Sequence, residues 1–159
     1  DSVMNQLKFV IPFQRNKYQY NDEDIKPFLD SVSLNRFELK SIEIIAYSSL
    51  EGGVKGNEII QQKRAKSILA AIKKYKLQDV ETKITTKENW DGFYQAIKGS
   101  PYEENLSTLP KEELRKKINE DSLKIALEPY LAQQRKGIAH MGDKVKITMS
   151  LLRRTWGLG

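Results

Sequence analysis

The chain has 159 residues, 27 Lys and Arg against 21 Asp and Glu, a formal net charge of +6 and no cysteine. That length allows one domain that removes about two-thirds of its unfolded surface from water, and 39% hydrophobic with 30% charged residues fits an ordinary globular protein on the polar side. The lack of cysteine excludes disulfides, thiol catalysis and cysteine-ligated metal without deciding a compartment. No apolar run approaches the roughly 18 residues of a membrane span. The abrupt start at Asp1 reads as an excised mature fragment, so the lack of a leader does not argue against secretion. The charge is concentrated: residues 57–77 and 133–159 each carry +5, leaving about −4 on the rest. Two basic segments on a mildly acidic body point to an anionic partner or to a solvated lysine face with a basic tail.

Leu7, Phe9, Ile11 and Phe13 alternate with Lys8, Val10 and Pro12, which predicts a strand over residues 6–13 with Pro12 at a strand end or edge. A polar loop follows over 14–20. Asn21-Asp22-Glu23-Asp24 reads as a helix start, its acids suited to the positive end of the helix dipole and to capping rather than to holding a cation. That helix extends to about Val32, with Ile25, Phe28, Leu29 and Val32 on one face and Pro27 near the first turn.

The stretch from Phe37 to Tyr47 predicts a central strand built on Ile42, Ile44, Ile45 and Ala46. Residues 48–56 form a loop with three glycines, where tight turns and close approach of a ligand are sterically easy. Asn57 is placed as the N-cap of a long basic helix over 57–77. At about 100° per residue, Ile60, Ala65, Ile68, Leu69, Ile72 and Tyr75 share one apolar arc, and Lys63, Lys66, Lys73 and Lys74 face away. Arg64 lies inside the apolar arc. Its guanidinium either snorkels past the core or meets an anion at the loop.

Alternation over 80–86 predicts a further strand, with Val80, Thr82, Ile84 and Thr86 on one side. Strands and helices then alternate β-α-β-α-β, which predicts a sheet with helices packed on a face. Trp90, Phe93, Tyr94 and Ile97 fall at helical spacing within 88–98 and read as core. Gly99-Ser100-Pro101 ends that helix, a second begins around Leu109-Pro110, and a third spans about 122–134 with Pro129 as a kink. Glu103 and Glu104 fall in a polar loop. At the end, residues 137–141 and 144–152 either pair as a hairpin around Gly142-Asp143 or form one irregular closing strand. Val145, Ile147, Met149 and Leu151 alternate with polar residues, so the second part is the surer strand.

The residues do not compose a known catalytic centre. His140 is the only histidine, so no zinc site of usual composition forms and no histidine-based triad has a marked nucleophile. The run EGGVKG lacks the GK[ST] ending of a phosphate loop. No enzyme, cofactor or metal is expected. Nucleic-acid binding, arguable from a pI of 9.4, lacks any recognised motif and is not expected either.

Ala46-Tyr47-Ser48-Ser49, Asn57 and Lys63-Arg64-Ala65 resemble the signature of the OmpA-like C-terminal domain family, in which a strand ending in G-[HY]-[TS]-D leads through a glycine-bearing loop and an Asn to an Arg-Ala pair on a helix. Phe9 to Tyr20 resembles the family's opening strand and loop, and Leu131 to Lys136 the run before its closing strand. Glu88-Asn89-Trp90 is similar to Bacteroidetes-type members. The resemblance covers roughly residues 6–86 and 131–150. It implies an α+β fold, a βαβαβ-type sandwich with a mixed sheet, helices on one face and an extra helical segment before the closing strand. The chain is then a single domain, with a core of 6–86 and 131–152, a helical insertion at 87–130 and a frayed tail at 153–159.

The function implied is non-catalytic anchoring of the cell envelope. In such domains the loop Asp and the Arg grip the diaminopimelate end of a peptidoglycan peptide stem. Here Arg64 and Asn57 match, whereas Ser49 stands for the Asp and Ala46 for the first Gly. The implied site is therefore Arg64, Asn57, Ser48, Ser49 and Tyr47, with Glu51 as the available carboxylate for the ligand's ammonium. The implied setting is the periplasm of a Gram-negative bacterium, tethered to the outer membrane by segments absent from this chain, with other envelope proteins as further partners. The competing expectation is a scaffold of the same family that has lost stem binding and serves as a protein-interaction module. A loop filled by the 87–134 helices favours that second expectation; an open one with Arg64 exposed favours the first.

Overall fold

The computed structural model describes residues 4–33, 37–75, 77, 79–135 and 143–153. Strands β1 (Met4–Pro12), β2 (Phe37–Ser48), β3 (Glu81–Glu88) and β4 (Lys144–Arg153) form one sheet in the order β1-β4-β2-β3. β4 runs antiparallel to both β1 and β2, whereas β2 and β3 are parallel. The fold is thus α+β with a mixed four-stranded sheet. The closing strand is inserted at its centre, so the last described residues complete the core rather than extend an edge.

Alternation decides which side of each strand is buried. Ile42, Ile44 and Ala46 on β2 and Val145, Ile147, Met149 and Leu151 on β4 point to one face. Against it lie α1 (Asp22–Val32), through Ile25 and Phe28, and α2 (Val54–Lys73), through Ala65, Ile68, Ala71 and Ile72. The opposite face is polar, with Lys8, Lys83, Lys87 and Lys146 exposed, as an antiparallel-type sheet solvated on one side allows. Pro12 closes an edge strand, where its missing N–H is harmless. Ile84 shares the core-facing side of β3 with its β2 partner Ile44 but stays 44% exposed, because β3 is the other edge.

Between β3 and β4 come α3 (Trp90–Ile97), α4 (Glu103–Ser107), α5 (Lys111–Ile118) and α6 (Asp121–Arg135). They enclose a second apolar cluster of Phe93, Ala96, Ile97, Leu106, Leu114, Ile118, Leu127 and Leu131, joined from the first half of the chain by Leu50. The aromatic stripe of α3 is core, as its spacing indicates: Phe93 is buried, and Trp90 and Tyr94 pack half-buried against the cluster.

Several expectations need correction. Asn57 is not the N-cap of the long helix. Gly53 holds that place, and the Asn57 backbone N–H already bonds the Gly53 carbonyl at 3.0 Å. Val54-Lys55-Gly56 is helical despite its low propensity, and the helix ends at Lys73 rather than Leu77. Asn21 does precede α1, but its backbone carbonyl accepts the first-turn N–H groups while its side chain makes no cap bond. Glu103 and Glu104 open α4 instead of lying in a loop, and the Glu103 carboxylate accepts from the Gly99 N–H at 3.0 Å. At the C-terminus, residues 144–153 form a single strand. The hairpin expected from 137–141 and the tail beyond Arg153 lie outside the described residues.

Candidate functional site

Arg64 sits on the buried side of α2 at 0% exposure, the largest fully buried side chain described. Its position follows from the helical arc that also buries Ala65, Ile68 and Ile72. An interior guanidinium needs acceptors for its donors, and the fold supplies four. Nε–H donates to the Lys17 carbonyl at 2.8 Å, Nη1 to the Tyr47 carbonyl at 2.8 Å and to Asp143 Oδ1 at 2.9 Å, and Nη2 to the Gln14 carbonyl at 3.1 Å. The Phe13 ring lies 5.2 Å from the guanidinium carbon. Burial pulls the Arg64 pKa below its ordinary value, and the charge and hydrogen bond of Asp143 work against that pull. The arginine ties three segments together: the end of β2, the loop after β1 and the start of β4.

The loop between β2 and α2 is folded onto the chain. Ser48 is buried, accepting from Gln61 Nε2 at 2.9 Å and donating to the Ser49 carbonyl at 3.1 Å. Asn57 Nδ2 donates to the Ser49 carbonyl at 3.2 Å and to Glu88 Oε2 at 2.8 Å. Glu88 also takes a bidentate pair from Arg115 of α5, one arm at 2.8 Å. Asn119, the C-cap of α5, brackets Gly52 by accepting from its N–H at 3.0 Å and donating to its carbonyl at 3.4 Å. Burial alone would raise the Glu88 pKa; the hydrogen bonds from Arg115 and Asn57 outweigh it and leave the carboxyl below its usual value. The helical layer therefore ties into the loop at Gly52 and, through Glu88, at Asn57, while residues 52–56 stay exposed.

The six residues expected to form one site are not gathered around one opening. Arg64 and Ser48 are interior, Asn57 is turned toward Glu88, and Ser49 contributes its carbonyl to Asn57. Glu51 forms an ion pair with Arg15. The Tyr47 ring is buried among the ammonium groups of Lys87, Lys144 and Lys146.

The open concavity near Arg64 is a cleft of about 680 Å³ whose walls include Phe13, Gln14, Arg15, Lys17, Asp24 and Asp143. Arg15 and Lys17 bring positive charge to it, Asp24 and Asp143 negative charge. Arg64 does not line it, but through the carbonyls of Gln14 and Lys17 and the Asp143 carboxylate it holds three of its walls. Asp143 and Asp24 were not among the sequence candidates. The first reads as a turn residue and the second as a helix-start acid, and the signal that joins them is tertiary. Among the described residues no group of three or more His, Cys, Asp or Glu is placed to hold a metal ion.

No protein-family model matches the chain, and no curated protein matches it significantly.

Proposed function

We propose that the chain is a non-catalytic cell-envelope module, an OmpA-like scaffold in which the motif arginine no longer grips a peptidoglycan stem and which works by binding another protein. The observation that carries this reading is the state of Arg64: 0% exposed, with four hydrogen bonds to its own chain. A stem carboxylate could claim the guanidinium only by breaking bonds already made, so little net affinity remains. Support also comes from Asn119 and Glu88, which engage Gly52 and Asn57 in contacts within the chain. Ser49 in place of the motif Asp removes a charged hydrogen bond of about 1.5–3 kcal/mol, roughly ten- to a hundredfold in affinity. The setting that goes with this reading is the periplasm, with tethering to the outer membrane supplied by other segments.

One observation favours stem binding as a second reading. The cleft beside Arg64 presents Lys17 to a carboxylate and Asp24 to an ammonium, next to Arg15 paired with Glu51 and Asp143 paired with Arg64, a mixed charge pattern of the kind a zwitterionic diaminopimelate end requires.

Co-sedimentation with purified diaminopimelate-type peptidoglycan separates the two. Wild type is compared with Arg15→Ala, Lys17→Ala and Asp24→Asn, changes that spare the Arg64 network. The interaction-module reading expects no retention at physiological salt, or weak retention shared by all variants and removed by added salt. Retention of wild type that resists salt and disappears in the cleft variants would overturn it in favour of stem binding.

A further inference from the structure

On the solvated face of the sheet, three ammonium groups converge on one aromatic ring. The register places Lys87 directly across from Tyr47 on β3 and Lys146 across from Ile45 on β4, and alternation brings Lys144 to the same face. The Nζ atoms of Lys87, Lys144 and Lys146 lie 5.3, 5.4 and 5.6 Å from the Tyr47 ring centroid. Tyr47 is only 7% exposed, so the ring is a fixed post. Lys87 and Lys146 are open to solvent, whereas Lys144 is 7% exposed.

Among the described residues none of these three cations forms an ion pair. The acidic side chains close in sequence are committed elsewhere: Glu88 to Arg115 and Asn57, Glu51 to Arg15. Glu43 shares the face and is a diagonal neighbour of Lys146 at about 7–8 Å, but forms no ion pair with it among the described residues and lies four residues from Tyr47 along β2. Burial first and the neighbouring Lys146 second hold the Lys144 pKa below its ordinary value. An ammonium withdrawn from water beside the like charge of Lys146 is destabilising unless an anion joins it. A ring contact recovers part of the loss.

We infer that Lys87, Lys144 and Lys146, set around Tyr47, form a binding site for a phosphate group. Three flexible point charges suit a compact anion of about two negative charges better than a planar carboxylate, which a guanidinium fork would match. The group can arrive as free phosphate or on the headgroup of a lipid. The two sources share the same chemistry at the lysines.

The test uses the full chain. Inorganic phosphate is titrated at constant ionic strength held with chloride, reading amide and lysine side-chain NMR shifts, beside Lys87→Gln, Lys146→Gln and the control Lys66→Gln. Lys66 is exposed on α2, so its loss changes net charge equally without touching the site. The expected result is saturable shifts centred on Tyr47, Lys87, Lys144 and Lys146, weakened about tenfold in each site variant and unchanged in Lys66→Gln. Binding to phosphatidylcholine vesicles only when phosphatidic acid is included would identify the lipid headgroup as the source and also support the site; free phosphate without vesicle binding supports it with a soluble source. The proposal is overturned if the shifts do not saturate, if they centre elsewhere, or if Lys66→Gln weakens binding as much as the site variants.

Discussion

Two apolar cores stand side by side in this chain, and each is closed by an arginine–carboxylate pair of different character. In the sheet core, Arg64 and Asp143 are 0% and 12% exposed at their side chains, and the arginine also satisfies three backbone carbonyls. At the helical layer, Arg115 and Glu88 are 22% and 12% exposed, and the pair joins α5 to the end of β3. The first is part of a hydrogen-bonded interior that cannot lose a member without stranding charge and carbonyls. The second is a clasp between two units that each hold their own apolar cluster. The same two residue types therefore serve as a keystone in one place and as a latch in the other.

The largest expected effect comes from breaking the keystone. Arg64→Met should destabilise by about 3–5 kcal/mol, the range for leaving a buried charge without its partner, with the stranded carbonyls of Gln14, Lys17 and Tyr47 adding to it. Arg115→Met should cost about 1–2 kcal/mol, because partial exposure lets water take over part of its role. Urea unfolding midpoints check both. Equal losses in the two variants would break the distinction. The same result bears on ligand assays, since loss of binding in an Arg64 variant would report unfolding as readily as a lost contact.

Much of this was legible before any coordinates. Period-two alternation located β1, β3 and β4, a run of β-branched and aromatic residues located β2, and the 100° arc of the long helix marked Arg64 as anomalous among Ala65, Ile68 and Ile72. The partner of that arginine was not legible. Asp143 is 79 residues away in sequence, and beside Gly142 it reads as a turn. Its role exists only because β4 inserts between β1 and β2, a pairing that local pattern does not encode. Asn57 was misplaced for a related reason. Its residue type suits an N-cap, but contact with Glu88 and the bracketing of Gly52 by Asn119 favour starting the helix one turn earlier, where propensity alone would not. The cleft was not legible, because Arg15, Lys17, Asp24 and Asp143 come from three separate elements and no local pattern joins them.

A smaller effect sharpens the latch. The Glu88 carboxyl is held below the ordinary glutamate value of 4.5, so the folded state binds its proton less readily than the unfolded chain. Its contribution is fully present above pH 4.5 and is lost as pH falls through the lower folded value. Wild type should therefore lose stability on acidification through this window, and Glu88→Gln should lose less over the same range while starting lower at neutral pH. If the charge pair only latches the helical layer, hydrogen exchange on acidification should open α5 amides before those of β2 and β4. Simultaneous opening of both sets would mean that the two cores unfold as one unit.

The most local effect lies at the seam, in Gly52. Its φ of +91° falls where side chains are rarely tolerated, yet a Cβ built there would meet nothing closer than Asn57 Oδ1 at 3.6 Å, an ordinary contact. Any penalty for Gly52→Ala is therefore conformational rather than steric, about 1–2 kcal/mol. Gly52→Asn should cost less, although its side chain is larger, because asparagine enters the left-handed region more readily than alanine. That inverted order in thermal or urea unfolding is the signature of a backbone requirement. The reverse order would mean that space is limiting, and that α5, through Asn119, packs onto the loop more tightly than its two hydrogen bonds to Gly52 imply.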